Sequence, residues 1–514
     1  MVPYYVIVNY YFSLLLLFLS ISNPYYVIAQ QKLNVLYQWK DVDFTFPNSQ
    51  SRDTAIRTKK FIPENCIILD VDVWHKLETQ ERLPVNSGHI SNNHNSAIKP
   101  ILKKRIFVTL PRFKRGVPAT LATVTNQRRG DQTLLAPFPN WAAQEERNCN
   151  GVTSVYRMKI DHCGILWVLD TGRVENFSPN PKNLCPAKVQ AYDLNNGDKL
   201  MRELIIPDRV LEADSLLVTI AVDTRDDFCK NTFLYLADVT GFKLIVVDVE
   251  QNHFWRVNSN LFYPFPLDSK FSIAGTSFNI MDGLLALALG PLKNGERYLY
   301  FHSLASVREG SVPTSIIRNE SLFVNDEDSS WDLFSISKPA RSSQSASEDM
   351  TDSGILFFGL LSEMAIACWN SCFPYTTENI HIADQNDEML QFPSGVKVIG
   401  DSLWIVTTKF QKFIAGTAKP DEVKYRILAG SVSNLIRGSG CDKRSGVHLL
   451  NKSQPVKLNY NSQRSVSRGS PLFSTLSKIY EDEIFPSYFR LNLENQPVNY
   501  VLGNENWRRI FGIP

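Results

Sequence analysis

The sequence predicts an all-β fold: a six-bladed β-propeller held by disulfides and followed by a flexible C-terminal extension. Two observations predict it. First, a pair of strand patterns recurs six times. Its leading member is an apolar run closed by a polar or Gly turn, at residues 106–110, 165–169, 233–237, 284–289, 355–361 and 403–407. A partner strand follows each, at 119–124, 189–192, 244–249, 298–302, 365–369 and 425–428. All-β units spaced by about 45 to 70 residues suit blades that bury their faces on two neighbours around a channel. A β-sandwich is the structural alternative, but its turns recur every 8 to 12 residues or so. Second, the chain has eight cysteines behind an apolar leader, the pattern of a disulfide-bearing protein on the secretory route.

Within residues 1–29, Leu14 to Leu19 forms an apolar core, and Val27-Ile28-Ala29 offers small or aliphatic residues for cleavage. Residues 1–29 therefore read as a secretory signal peptide and place the mature chain outside the cell. No Lys or Arg precedes Lys32, so an uncleaved anchor is the alternative. Residues 30–441 form the propeller. The polar, aromatic start of that span, to about Phe61, shows no helix signal and supplies a wrapping or closing strand. Residues 85–104, rich in Ser, Asn, His and Lys, form a surface insertion in which His89 and His94 are exposed loop residues. Residues 442–514 are basic and Ser/Asn-rich, then acidic, and read as a low-complexity, flexible tail.

The charges nearly cancel, with 54 Lys and Arg against 52 Asp and Glu. No overall field therefore draws the chain to nucleic acid, or to a membrane once the signal is removed. The oligomeric state is not legible.

The densest unit is residues 149–172, with two strand patterns, two cysteines and the turn Asp170-Thr171-Gly172. Its apolar run suits a strand buried on both faces. Cys149 and Cys163 sit at opposite ends of a strand and cannot pair with each other. Cys163 and Cys229 each precede what reads as the innermost strand of successive blades, so the fold sets them side by side and predicts Cys163–Cys229. The same reasoning predicts Cys66–Cys149. Cys368 and Cys372 could form half of a zinc site, but no second half follows, and disulfide use is the reading adopted. Asn176, Asn319 and Asn451 head glycosylation sequons.

No HExxH, GxSxG, Walker, GxGxxG or CxxC pattern occurs, so neither a metal nor a cofactor is expected, and catalytic residues are not legible. Asp161, Asp170, Asp223, Asp226, Asp227 and Asp238 recur at strand ends. They read as turn-fixing groups in preference to a calcium site. His162, His253, His302 and His381 read as structural. Trp141, Trp167, Trp255, Phe278, Phe357, Phe358, Trp369, Trp404 and Phe410 are mostly core, with a few free to stack on a flat ring or a cation near the channel.

Pro111-Arg112-Phe113, residues 116–121 and 149–172, Tyr263-Pro264-Phe265-Pro266, residues 300–306, Cys368-Trp369-Asn370 and residues 425–428 together resemble the insect yellow and major royal jelly protein family. The resemblance runs from about Leu33 to Cys441. It implies a secreted six-bladed propeller tied to cuticle and egg-shell pigmentation. Some members convert dopachrome, salivary members bind biogenic amines in the channel, and royal jelly members serve nutrition and bind lipids. The family has no agreed catalytic residues. By resemblance, Ser394, Thr408 and Phe410 line the ligand site. Relatives commonly carry Asn at the place of Thr408, so a single hydroxyl stands here for an amide with two donors and an acceptor. Three functions follow as expectations: a channel protein holding a small aromatic amine or catechol-derived ligand, a dopachrome tautomerase, or a structural component of cuticle or egg shell.

Overall fold

A computed structural model describes residues 32–78, 101–178, 180–324 and 332–442. The chain divides into two units, Met1–Lys443 and Arg444–Pro514, the second outside the described residues. The expected signal peptide, Asn451 and the tail from Lys443 onward also lie outside them.

Six four-stranded antiparallel sheets close a ring. The innermost strands of blades 1 to 6 are Asp70–Glu78, Val155–Ile160, Leu217–Thr224, Leu284–Leu289, Glu348–Met350 and Pro393–Ile399, and each packs against the next. Residues 149–172 belong to blade 2, as read from the sequence. The outermost strand of blade 6 is the N-terminal Asn34–Trp39, paired with Tyr425–Ser431. This pairing joins the two ends of the propeller and leaves fewer open sheet edges. Trp39 is fully buried there, and its indole N–H donates to the Thr133 carbonyl at 2.7 Å.

Strand alternation explains how each blade is glued to both neighbours. In blade 2, Leu166 and Val168 join Trp74, Phe107 and Phe138 of blade 1 in one apolar cluster. Trp167 and Leu169 join Leu234, Leu236 and Ile245 of blade 3 in another. Successive side chains of one strand face opposite ways, so an unbroken apolar run is what a blade between two blades requires.

Several expectations need correction. The leading members of the repeated pairs are the second strands of their blades, except 284–289, which is innermost in blade 4. The true innermost strands carry Asp70, Asp72, Arg157, Lys159, Glu348, Asp349 and Lys397, because one face meets the channel. A search for apolar runs passes over them. The N-terminal stretch read as free of helix contains one, Ser49–Arg57, opened by a capping box between Asn48 and Ser51. None of its residues is buried, so no apolar period betrayed it. The insertion 85–104 is shorter than read: the strand Ile101–Thr109 takes its last four residues, and residues 85–100 lie outside those described.

Cys163 and Cys229 are bonded. They lie in the hairpins after the innermost strands of blades 2 and 3, not before those strands. Cys66 and Cys149 do not pair. Cys149 bonds Cys185 within blade 2, because the chain enters the first and the third strand of a blade from the same end. Gly172 makes room for this: at φ +65°, a side chain there would meet the Cys185 carbonyl at 2.0 Å. Cys66 is buried as a thiol, Cys368 bonds Cys441, and Cys372 is an exposed thiol.

Candidate functional site

The innermost strands all run in one direction, which gives the channel a mouth end, where they begin, and a hairpin end, where they turn back. Between the two, charged side chains brace the channel. The Arg157 guanidinium of blade 2 donates to Ser347 Oγ at 3.2 Å and the Ala346 carbonyl at 2.7 Å, both leading into blade 5. Lys159 reaches Asp349 at 2.7 Å, and Lys397 of blade 6 reaches Asp70 of blade 1 at 3.3 Å. Arg157, Asp70 and Lys397 are buried and Lys159 and Asp349 partly so, and where water is scarce each charge needs its partner. Asp72 lies among them, and burial lifts its pKa to about 6 against the pull of Lys159 and Lys397. Toward the hairpin end a polar cavity of about 380 Å³ opens, lined in part by Thr219, Arg297, Asp349 and Lys397.

The mouth end has different chemistry. The ring of Phe410 lies 4.8 Å from Phe392, 6.0 Å from Phe113 and 5.9 Å from Phe177. Phe113 in turn meets Tyr156 edge-on at 5.1 Å. Phe410 opens the short helix Phe410–Ala415, on which the strand Thr276–Asn279 packs. Arg112 fixes the loops that carry these rings. Its buried guanidinium donates to the Thr153, Val117 and Gln144 carbonyls, while its own carbonyl accepts from Glu175. Among the described residues no carboxylate is bonded to it, and burial lowers its pKa against the pull of Glu146 and Asp170.

Ser394, Thr408 and Phe410 all lie at this end, but in different situations. Ser394 is fully buried and donates to the Leu69 carbonyl at 2.7 Å. Thr408 is also buried, and its hydroxyl has no partner among the described residues. Phe410 is at the centre of the ring cluster. Phe392 belongs to the segment Phe392-Pro393-Ser394 that the resemblance sets along the channel. Sequence reading missed Phe113, Tyr156, Phe177, Phe413 and Asp282 as members of this end. Phe113 and Tyr156 stood inside segments that carry the resemblance, and that was the available signal. Asn176 donates its side-chain amide to the Tyr156 hydroxyl at 2.6 Å, leaving its own buried oxygen unpartnered. Lys114 stands 4.4 Å from the Phe413 ring centre.

Asp161, Asp170, Asp226 and Asp238 behave as the turn fasteners the sequence suggested, whereas Asp223 is a buried ion-pair partner of Arg225 and Arg297 that also accepts from the Tyr235 hydroxyl. The Asp170 carboxylate accepts from the backbone of Thr153, Ser154 and Gly172, and Asp226 accepts from Phe228, Lys230 and Asn231. One buried group stands apart, between blades 4 and 5: His302, Glu309, Glu348 and Arg341. Burial and Arg341 oppose a charge on His302, but Glu348 and Glu309 outweigh them and its pKa is raised. With His302 protonated, two cations balance two carboxylates.

Fold and site together define a closed six-bladed propeller, braced across its channel by ion pairs and lined at its mouth by aromatic rings. Residues 153–441 match the family model for major royal jelly protein. Protein yellow of Drosophila melanogaster is 32% identical over 455 residues, covering 87% of this chain and 76% of its own length. Protein yellow of Drosophila erecta matches to the same extent. A dopaminechrome tautomerase of Drosophila melanogaster is 31% identical over 435 residues, covering 83% of this chain and 87% of its own length. The chain belongs to the yellow and major royal jelly protein family. Among the described residues, no helix is long and apolar enough to cross a membrane.

Proposed function

We propose that this chain is a secreted protein of pigmentation chemistry that holds a small aromatic amine or catechol-derived ligand at the channel mouth. The observation that carries this reading is the Phe113, Phe177, Phe392 and Phe410 cluster beside the unpartnered hydroxyl of Thr408. Flat rings stack on such faces, and a lone hydroxyl left without a partner favours a ligand that can supply one. Thr408 and Phe410 are the contacts; Ser394, bonded to Leu69, holds the backbone beside them. Calorimetry with dopamine, serotonin and tryptamine tests the reading. Micromolar to millimolar binding that weakens in Phe410→Ala is expected, and no heat with any of the three at millimolar concentration would end it.

A second reading is catalytic, favoured by the relative whose name is dopaminechrome tautomerase. Tautomerisation moves a proton from ring carbon to oxygen and needs a base that titrates near neutrality. Asp282, at the mouth, has the required character, since burial raises its pKa to about 7. Dopaminechrome colour lost faster with purified protein than in buffer, and not with Asp282→Asn, supports this reading; equal rates in protein and buffer oppose it.

A further inference from the structure

We infer that the cavity at the hairpin end of the channel is a binding site in its own right, which takes the carboxylate of a small organic acid on Arg297, Arg157 and Thr219. It lies at the opposite end from the aromatic mouth and does not depend on the reading of that end.

The first support is a set of polar atoms left unused. Arg157, Thr219 and Arg297 all line the cavity of about 380 Å³, and the first two are buried, at 3% and 6% exposure. Yet among the described residues Arg157 Nε, Thr219 Oγ1 and Arg297 Nε meet no hydrogen-bond partner. The remaining Arg157 nitrogens are spent on Ser347 and the Ala346 carbonyl. The Arg297 guanidinium is tied, among the described residues, only through Nη1, which lies 3.4 Å from Asp223. Its Nε edge, on which a guanidinium can grip a carboxylate with two parallel N–H donors, is not taken by these neighbours.

The second support is charge. Asp70 and Asp223 are fully buried, and each faces two cations. Asp70 lies 3.3 Å from Lys397 and 3.7 Å from Arg157, and Asp223 lies 2.9 Å from Arg225 and 3.4 Å from Arg297. Lys159 pairs with Asp349. Even with Asp72 ionised beside Lys159 and Lys397, these five cations face four carboxylates. Glu348, also on the wall, belongs to the balanced cluster with His302 and Arg341. Among the acids of the rim, Asp161 and Asp226 are wrapped by backbone N–H donors, while Asp227 and Asp352 are exposed, where water and salt screen them.

The chemistry then follows. A buried donor without a partner is costly, and so is a buried cation that must share its carboxylate. Burial works against the Arg157 charge, with Asp70 as the opposing carboxylate. The carboxylate of a ligand supplies acceptors for the unused donors and the missing negative charge together. The cavity volume falls within the range of about 300–1,000 Å³ that small ligands occupy, and Ile220, Ala286 and Leu287 offer apolar wall to the body of the acid. A neutral amide of the same shape brings no charge and turns N–H donors toward donors.

The test is calorimetry on the full chain with benzoate, benzamide and inorganic phosphate. Benzoate and benzamide share size and shape, so the difference between them reads the charge. Benzoate is expected to bind the parent protein at micromolar to millimolar concentration, about tenfold more tightly than benzamide. Arg297→Gln should weaken benzoate by about tenfold or more, while Arg225 keeps Asp223 paired. Should that variant not fold, Arg297→Lys keeps the charge and removes the Nε donor, and a loss of about fivefold is expected. No benzoate binding at millimolar concentration, equal affinity for benzoate and benzamide, or undiminished affinity in the Arg297 variant each overturns the inference. Inorganic phosphate bound in preference to benzoate overturns the assignment to a carboxylate. None of these results bears on dopamine at the mouth, so the two sites stand or fall separately.

Discussion

The Nδ1 of His302 lies 3.0 Å from the Glu309 carboxylate, and Arg341 donates to the same oxygen, all three buried between blades 4 and 5. His302 lies one residue before the end of the second strand of blade 4, Glu309 precedes the third, and Arg341 belongs to the segment leading into blade 5. The trio therefore ties the crossing between two blades to the sheet it leaves.

Glu309→Gln would leave Arg341 charged and buried without its closest carboxylate. Breaking a buried pair from one side costs about 3–5 kcal/mol. Urea unfolding should show a loss of that size, and a loss no larger than that of a surface substitution would refute the reading.

His302 also gives a dependence on pH. Its folded pKa is raised above the ordinary value of 6.5, so the stability it contributes is fully present below that value. It is lost as pH rises through the folded pKa. Melting temperature across this window should fall in the parent protein and change less in His302→Gln.

Asp282 should act with the opposite residue type but the same slope. Its carboxyl is raised from 3.8 to about 7 by burial, so the folded chain holds this proton more tightly than the unfolded one, and stability falls as pH rises between those values. Asp282→Asn is expected to melt with the parent protein at the acid end of the window and above it at the alkaline end. Matching curves at both ends would show that the carboxylate bears no such cost.

Thiol labelling tests the cysteine assignment. Cys372 should react with a maleimide in the native protein, whereas Cys66, buried and with its pKa pushed up by burial, should react only after unfolding. Peptide mapping should recover Cys149 with Cys185, Cys163 with Cys229, and Cys368 with Cys441.

Glycan mapping separates two sequons. Asn319 is exposed, whereas the Asn176 amide that a glycan would modify donates to Tyr156. Occupancy at Asn319 and none at Asn176 is the expected result when the chain is expressed through a secretory host; a glycan on Asn176 would show that its bond to Tyr156 is dispensable.

The amino-acid sequence by itself determined the blade number, because every blade contains at least one strand buried on both faces, and such strands are written as local apolar runs like 165–169. It also determined Cys163–Cys229, because neighbouring blades repeat the same turn at the same height. It placed Ser394, Thr408 and Phe410 at the mouth only through resemblance to a family. Tertiary structure alone decided which strands face the channel, since Arg157, Lys159 and Asp349 read as polar residues until opposite blades bring them together. It also decided that Cys149 meets Cys185, and that among the described residues Asp282 is left without a partner while Asp170, with the same residue type at a strand end, is fully bonded. A local pattern records which faces a strand buries; which atom another blade offers to a given side chain depends on ring closure, and no neighbour in sequence records that.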